Sequence, residues 1–363
     1  MSKIRAAVIG CGGIANGKHL PALAALKDRV EVVAFCDIVE DRAQKACKEY
    51  GTPDAKVYTD YKELLKDASI DTVHVCTPNR SHSFISIDAM EAGKHVICEK
   101  PMAKTYADAK AMYECSLRTG KILTIGYQNR YRKDSMFIKK LCKDGELGDV
   151  YYAKAHAIRR RGVPTWGVFL NEYEQGGGPL IDIGTHALDL TLWCMDNYKP
   201  KAVLGTAFKK LGDQKETGNP WADWNRDEFT VEDSAFGMIV MEDGATVQLE
   251  SSWALNTLDV REAQTTLCGT KAGVDMIGGV RINGVKFNKQ YVMTPDLAGQ
   301  GVAFFDAAGG DEPHVVELSV FLNAVEGKGE LVVKPEQALM VTRLLEAIYE
   351  SSATGKAVYF DED

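Results

Sequence analysis

Short apolar runs separated by helix-length segments constrain the fold of this chain more than any other feature. IRAAVIG, VEVVAFCD, DTVHVCT and KHVIC are apolar almost throughout, and segments of mixed polarity lie between them. Strands that are apolar on both faces are typical of a buried parallel sheet with right-handed helical crossovers. The pattern predicts a doubly wound α/β domain. It is completed by a helix over TYADAKAMYECSLRTGK that ends at Gly120, and by ILTIGYQ as the last strand.

The pattern changes near residue 150 to longer strands with alternating polarity: VYYAKAHAIRR, KAVLGTAFKK, EDSAFGMIVME, ATVQLESSWAL and EAQTTLCGT. Such alternation predicts an open, mainly antiparallel sheet with one covered face. PLIDIGTHALDLTLWCM and PHVVELSVFLNAVEG are the predicted covering helices, and PEQALMVTRLLEAIYESSATG is predicted to pack back on the molecule. GDQKETGNPWADWNRDEFT, with two tryptophans, is interpreted as a lid, a substrate rim or a subunit contact. We predict an α/β domain over residues 1–125 and an α+β domain for substrate binding and oligomerisation over residues 126–363.

Composition excludes several classes of partner. The chain has 363 residues and 45% hydrophobic content, and single cores stop growing near about 250–300 residues, so two domains are expected. A net charge of −8 argues against nucleic-acid binding. The start, MSKIRAAVIG, leads directly into a strand, which predicts a cytoplasmic protein without a membrane partner. Nine cysteines, mostly in apolar runs, indicate reduced core thiols and argue against disulfides and zinc.

The segment VIGCGGIA follows the first predicted strand and opens a predicted helix. Gly10, Gly12 and Ala15 form a GxGxxG/A pattern, in which the first glycine makes a tight turn and the second lets backbone approach a pyrophosphate. Asp37 ends the second strand, where a carboxylate accepts ribose hydroxyls and repels a 2′-phosphate. We predict a Rossmann domain that binds NAD rather than NADP, although Arg42 could serve a phosphate. The alternative is a glycine turn that binds no dinucleotide.

Four motifs make the chain resemble the glucose-fructose oxidoreductase, inositol dehydrogenase and rhizopine catabolism (Gfo/Idh/MocA) family over nearly its whole length. They are GCGGIA, TPNRSH at Thr77–His82, EKP at Glu99–Pro101 and GGGPLIDIGTHALD at Gly176–Asp189. The resemblance implies a Rossmann domain followed by an α/β domain with an open, mainly antiparallel sheet. It also implies a nicotinamide cofactor, sugar or cyclitol substrates, and a homo-oligomer, a dimer or larger, formed through the open sheet face.

The catalytic residues predicted from this resemblance are Lys100, Asp182 and His186. On the residues alone, Lys100 is either a solvated lysine at a strand end or a site residue. Asp182 and His186 share one helix face at a spacing of four, and histidine is suited to take the proton of a hydroxyl that loses hydride. We assign His186 as general base and acid, Asp182 as the partner of the substrate hydroxyl, and Lys100 as electrostatic support. A surface helix contact remains the alternative for the Asp182–His186 pair, and a metal site is disfavoured for lack of a third ligand.

Other candidates contact the cofactor or the substrate. The resemblance implies cofactor contacts for Gly13, Ile14, Thr77, Asn79, His82, Glu99, Lys100 and Gln128, although Asn79 or His82 could instead cap the following helix. Tyr127 approaches the substrate by the same resemblance. Arg159 and Trp166 carry the guanidinium and ring that suit sugar recognition, with a salt-bridge cluster at the rim as the alternative. The histidines expected to be structural are His19, His74, His95, His156 and His314.

The sequence thus predicts an NAD(H)-dependent oxidoreductase that oxidises a secondary hydroxyl of a sugar or glycoside. Likeness within the family favours the C3 hydroxyl, which gives a 3-keto-glycoside. The alternatives are a redox-neutral NAD-dependent glycosidase, which needs a further base for the C2 proton, and an inositol or sugar dehydrogenase. A non-catalytic NAD-binding sensor is disfavoured, because a sensor does not need lysine, aspartate and histidine together.

Overall fold

The computed structural model describes residues 2–297 and 312–360. The described residues of 1–131 and 310–339 form one compact unit, and those of 132–309 and 340–363 form the other. The first unit therefore ends six residues beyond the predicted boundary at 125 and takes in a second stretch of chain. Among the described helices, none has both the length and the apolar character needed to cross a bilayer.

A parallel sheet of six strands forms the centre of the first unit. The strands are β1 (Ile4–Ile9), β2 (Val30–Cys36), β3 (Gly51–Tyr58), β4 (Thr72–Val75), β5 (His95–Cys98) and β6 (Leu123–Ile125). Their order, β3-β2-β1-β4-β5-β6, is that of a Rossmann fold and reverses between β1 and β4. The predicted doubly wound domain is confirmed. Sequence reasoning did not find β3, an edge strand that contains Pro53, because proline and charge hide its pattern.

Five helices connect these strands: α1 (Leu20–Ala25), α2 (Glu40–Tyr50), α3 (Tyr61–Leu65), α4 (His82–Glu91) and α5 (Tyr106–Thr119). Helix α5 follows the predicted bounds. The Thr105 hydroxyl accepts the backbone N–H of Asp108 at its start, and Gly120 ends it with a φ of 65°.

The second unit contains a sheet of nine strands. They are β7 (Val150–Ile158), β8 (Pro200–Phe208), β9 (Ser234–Met241), β10 (Thr246–Ser252), β11 (Arg261–Gly269), β12 (Ala272–Asp275), β13 (Arg281–Lys286), β14 (Lys289–Met293) and β15 (Val358–Tyr359). The order is β14-β13-β12-β11-β7-β10-β9-β8-β15. Among the described strands of this sheet, only β7 and β10 pair in parallel, so the predicted mainly antiparallel sheet is confirmed.

Helices α6 (Lys133–Lys143), α7 (Glu172–Gln175) and α8 (Thr185–Met195) belong to the second unit. A π-helical turn, Leu180–Gly184, runs directly into α8, and together they form the predicted covering helix. The Thr191 hydroxyl of α8 donates to the Thr265 hydroxyl of β11 at 2.9 Å, which fixes this helix on the sheet.

Helix α9 (Pro313–Val325) corrects one prediction. It was expected to cover the sheet of the second domain, but Leu318, Phe321 and Leu322 are buried in the core of the first unit, in the cluster that contains Val8 and Val32. Helical spacing shows that α9 has an apolar face, but it does not show which sheet receives that face.

Helix α10 (Pro335–Thr354) covers the β8–β9 part of the second sheet. A Cβ atom added at Gly205 or Gly237 would lie 2.7 or 2.6 Å from the Ile348 side chain, so the two glycines allow this close approach. The side chains that point the other way are exposed, and Leu204 and Met238 are 49% and 48% exposed. The sheet therefore has one covered and one open face.

Candidate active site

The glycine segment leaves β1 through a turn that only glycine fits. Gly10 has a φ of 91°, and a Cβ atom there would lie 2.6 Å from the carbonyl oxygen of Cys76. At Gly12 and Gly13, by contrast, an added Cβ would meet no atom within 4 Å. The Asn16 amide braces the turn by donating to the carbonyls of Cys11 and Gly12, at 2.7 and 2.8 Å. The segment thus presents an open stretch of backbone at the carboxyl edge of the sheet, as a pyrophosphate requires.

Asp37, at the end of β2, also holds the glycine turn in place. Its Oδ2 accepts the backbone N–H of Cys11 at 2.8 Å, and its Oδ1 accepts that of Val39 at the same distance. Burial, and after it the charge of Asp37, raises the pKa of the Cys11 and Cys36 thiols to about 12. The carboxylate lies where a ribose diol would bind, and its charge opposes a 2′-phosphate. These residues fit NAD.

The loop after β4 is joined to the turn after β5 by His82. This ring is fully buried, with Nδ1 at 2.8 Å from the Pro101 carbonyl oxygen and Nε2 at 2.9 Å from that of Thr77. Burial lowers the pKa of His82, although both carbonyls oppose this effect. The ring is fully buried between the two loops, and its predicted contact with the cofactor remains a prediction. Thr77 and Asn79 lie on the loop that His82 holds, and their cofactor contacts remain predictions.

Glu99 belongs to a buried cluster that sequence reasoning missed. Its Oε1 lies 2.8 Å from Nε2 of His19, and Nδ1 of His19 lies 3.1 Å from Nδ1 of His74. The three side chains are almost completely buried. Because the two Nδ1 atoms face each other, only one of them carries the shared proton. Lys100 follows Glu99 in the chain and is partly exposed.

Charge and burial compete in this cluster, which we call the His–Glu cluster (His19, His74 and Glu99). Burial raises the pKa of Glu99, but the hydrogen bond and charge of His19, with smaller effects of Lys100 and His314, bring it down to about 2. Complete burial, with a contribution from His19, lowers the pKa of His74 well below its usual range. Glu99 is therefore a buried anion beside the predicted catalytic lysine.

The segment after β6 is more buried than expected. Tyr127, a predicted substrate residue, is fully buried, and its contact with a substrate remains a prediction. Arg130 is also fully buried and donates from Nη1 to the Val332 carbonyl and the Gln337 amide oxygen, at 2.8 and 2.7 Å. Gln128 is partly exposed, and its contact with the cofactor stays a prediction.

In the second unit, a buried carboxylate, that of Glu232, accepts backbone N–H groups at the start of the helix that carries Asp182 and His186. Glu232 accepts the backbone N–H groups of Gly178 and Leu180 at 2.8 and 3.1 Å, and the Tyr349 hydroxyl donates to it at 2.8 Å. Burial raises the pKa of Glu232 despite these donors. An acceptor at a helix start satisfies N–H groups that have no partner inside the helix. Glu232 thereby sets where the helix begins.

Asp182 and His186 lie at the junction of the π-helical turn and α8, both partly exposed in an otherwise buried segment. The indole N–H of Trp253 donates to Oδ2 of Asp182 at 3.0 Å. Gly184, between the two, lies so close to β10 that an added Cβ would be 2.9 Å from the Ser251 hydroxyl. That the two side chains share one helix face remains a prediction from their spacing of four. A carboxylate held in this way can orient a hydroxyl, and a partly exposed imidazole can accept its proton.

Arg159 and Trp166 follow β7 in this unit. The Nε and Nη2 atoms of Arg159 donate to the two carboxylate oxygens of Glu262, at 2.6 and 2.5 Å. Salt-bridge geometry was the alternative interpretation of Arg159, and the structure contains that bridge. Trp166 is 52% exposed and packs edge to face against Phe169 and Trp221. Its contact with a substrate remains a prediction.

Sequence reasoning did not find the partner of His19, which was expected to be structural, and did not single out Glu232 or Trp253. One signal was present for His19, which lies four residues after Ala15 and so on the same buried helix face. Glu232 and Trp253 carried no comparable signal, because their partners are 50 to 120 residues away.

Two family models match the chain. Residues 4–127 match the oxidoreductase family with an NAD-binding Rossmann fold, and residues 136–275 match the GFO/IDH/MocA C-terminal domain. D-glucoside 3-dehydrogenase of Escherichia coli (strain K12) is 35% identical over 98% of this chain and 97% of its own length.

Solved structures share the fold. A crystal structure of an oxidoreductase domain protein from Kribbella flavida has a TM-score of 0.85 at 22% identity and covers 100% of both chains. Levoglucosan dehydrogenase in complex with NADH and L-sorbose has a TM-score of 0.84 at 20% identity, again over 100% of both chains. The open glycine turn, the charged Asp37 and these matches agree: the chain belongs to the GFO/IDH/MocA family and is an NAD-dependent oxidoreductase.

Proposed function

We propose that this protein oxidises the C3 hydroxyl of a D-glucoside to a ketone with NAD. The observation that carries the proposal is the relation to D-glucoside 3-dehydrogenase, which extends over 98% of the chain. The partly exposed Asp182–His186 pair supports it, because oxidation of an alcohol needs a proton acceptor next to the reacting hydroxyl.

The reaction removes a hydride from carbon and a proton from oxygen. Bound NAD supplies the hydride acceptor. His186 takes the hydroxyl proton as the C–H bond breaks and the carbonyl forms. Asp182, held by the Trp253 indole, accepts a hydrogen bond from the substrate and orients it. Lys100 supplies positive charge that favours loss of the proton.

The first unit holds the cofactor with separate groups. The open backbone at Gly12, Gly13 and the exposed Ile14 receives the pyrophosphate, and Asp37 receives the adenosine ribose. Thr77, Asn79 and Gln128 complete the contacts, and Glu99 contributes by fixing the turn that carries Lys100. His82 acts indirectly, by holding the two loops together.

Purified protein incubated with a panel of glucosides, with and without added NAD, tests the proposal, with products assigned by NMR. We expect NADH formation together with a 3-keto-glucoside. Release of free sugar without net oxidation would instead support a redox-neutral glycosidase, and oxidation of inositol but of no glucoside would refute the assignment.

We also propose that the protein assembles as at least a dimer through the open face of its second sheet. Leu204, Phe208 and Met238 expose apolar surface on adjacent strands of that face. Apolar surface of this extent is stabilised by burial against a second copy.

We further propose that the protein works in the cytoplasm. All nine cysteines lie in described residues and are free thiols. Most are buried, and burial raises the pKa of those at Cys76 and Cys98 well above the usual range. Unpaired, protonated core thiols suit a reducing compartment.

A further inference from the structure

Ring side chains of the second unit form a continuous row from Asp182 to the surface. Trp253, which donates to Asp182, has its ring 6.5 Å from that of Phe169. Phe169 lies 6.0 Å from Trp166, and Trp166 lies 4.9 Å from Trp221 with an angle of 77° between the ring planes. We call Trp253, Phe169, Trp166 and Trp221 the aromatic row. Every contact in it is edge to face.

Exposure increases along the aromatic row. Trp253 is completely buried, whereas Trp166 and Trp221 are 52% and 48% exposed. The two outer indoles, Trp166 and Trp221, lie nearly perpendicular to each other and form a corner lined by their rings. Large exposed aromatic surface that leads away from a predicted catalytic carboxylate is typical of a ligand site.

Trp221 is not needed to hold its own loop. The Asn219 side chain on one side bonds both the N–H and the carbonyl of Val163, at 2.9 and 3.0 Å. Trp224 on the other side is buried and donates its indole N–H to the Gly212 carbonyl at 2.8 Å. The loop is therefore anchored on both sides of Trp221 by other residues, and the exposed part of its indole is not needed to hold the loop.

Arg159 supports the corner. Its guanidinium carbon lies 5.5 Å from the centre of the Trp221 ring. Glu262 takes two of its nitrogens, and Nη1 donates to the Gly162 carbonyl at 2.9 Å. Because each guanidinium nitrogen already has a protein acceptor, Arg159 is better suited to hold the indole than to bind sugar hydroxyls.

We propose that Trp166 and Trp221 form a stacking site for an aromatic aglycone of the glycoside substrate. This proposal rests on the function proposed above, with the sugar at Asp182 and His186. The corner consists of ring faces and an arginine that is already bonded, so it suits a flat apolar group. A second sugar would need hydrogen-bond partners for several hydroxyls, which these side chains provide poorly.

The test compares phenyl β-D-glucoside, methyl β-D-glucoside and cellobiose in wild type, Trp221→Ala, Trp166→Ala and Trp221→Phe. We expect the ratio of kcat/KM for the phenyl over the methyl glucoside to fall about five- to tenfold in both alanine variants. Trp221→Phe should restore most of it. The matched control is Phe287→Ala, which removes an exposed ring that also lies beside a cation, Lys286, at the β13–β14 turn, and should leave the ratio unchanged.

Calorimetric titration of the same glucosides onto the NADH complex separates this proposal from the proposed function. If wild type oxidises no glucoside but binds the phenyl compound more tightly, and Trp221→Ala loses that preference, the stacking site stands and the dehydrogenase assignment fails. If glucosides are oxidised with an unchanged ratio in the alanine variants, the stacking site is refuted. The stacking site is also refuted if neither glucoside binds to wild type, or if the alanine variants lose affinity only for cellobiose. A change in the mass of Trp221→Ala in solution as its only effect would refute it as well.

Discussion

The two units hold their ring side chains in opposite ways. In the His–Glu cluster of the first unit, imidazoles and a carboxylate are buried and hydrogen-bonded to one another. In the aromatic row of the second unit, rings touch edge to face and end half exposed. In the proposed function the cofactor is the same in every turnover, so side chains near it can be buried and charged before it binds. A substrate must enter and be selected, which requires surface that remains open.

The largest expected effect tests whether the chemical step belongs to the second unit. His186→Ala should lower kcat by about 10²–10⁴, the range for loss of a general base, while the Kd for NAD changes little. The pH profile of kcat/KM should lose its acidic limb. His95→Asn, at the start of β5, is the histidine control and should keep wild-type kcat. Near wild-type turnover with an unchanged profile would place the base elsewhere, and Lys100 would be tested next.

The next effect concerns cofactor selection in the first unit. Wild type should bind NAD at least tenfold more tightly than NADP, because the Asp37 carboxylate repels a 2′-phosphate. Asp37→Asn should narrow this gap. Asparagine is preferred to alanine, because the carboxylate also accepts the backbone N–H groups of Cys11 and Val39. Fluorescence titration with both cofactors measures the ratio, and equal affinities in wild type would contradict the assignment.

A smaller effect tests whether burial increases the contribution of the His–Glu cluster to folding stability. The folded pKa of Glu99, about 2, lies below its ordinary 4.5, so ionised Glu99 contributes stability that is fully present above about pH 4.5. This contribution is lost as the pH falls towards 2. Glu99→Gln should lower Tm at pH 7 by about 2–4 °C, with the gap to wild type closing below pH 4.5.

Glu250→Gln is the matched control for this cluster. Glu250 also faces a histidine, His156, at 3.3 Å, but its side chain is 28% exposed. Solvent screening should make the loss of Tm smaller there. Equal losses of Tm in Glu99→Gln and Glu250→Gln would show that burial does not increase the stabilisation by the His19–Glu99 pair.

The smallest change concerns the open face of the second sheet. Met238→Lys places a charge among Leu204 and Phe208 and should shift the mass in solution from a dimer or larger towards the 39.8 kDa of one chain. Leu258→Lys, at an exposed leucine outside the strands, should leave the mass unchanged. Light scattering at micromolar concentration measures both, and a wild-type mass near that of one chain would refute the oligomer.

Much of the site could be predicted, because its signals are local. The tight turn after the first strand indicates Gly10, and the end of the next strand indicates Asp37. The helical spacing of four indicates the Asp182–His186 pair. Each of these depends on neighbours within a few residues, and φ/ψ limits and periodicity act at that range. The first sheet was predictable for the same reason.

Contacts between distant segments could not be predicted in this way. The apolar face of α9 was visible, but its place in the first core depends on which surface was left uncovered there. His82 was predicted to contact the cofactor or to cap the following helix, and its bonds join two loops. His19 was predicted to be structural, but its partner Glu99 could not be named from the sequence. The aromatic row joins Phe169 to Trp253, 84 positions further along the chain. Residue type and spacing determine which chemistry a side chain is capable of. Its partners and its access to solvent depend on how the whole chain packs.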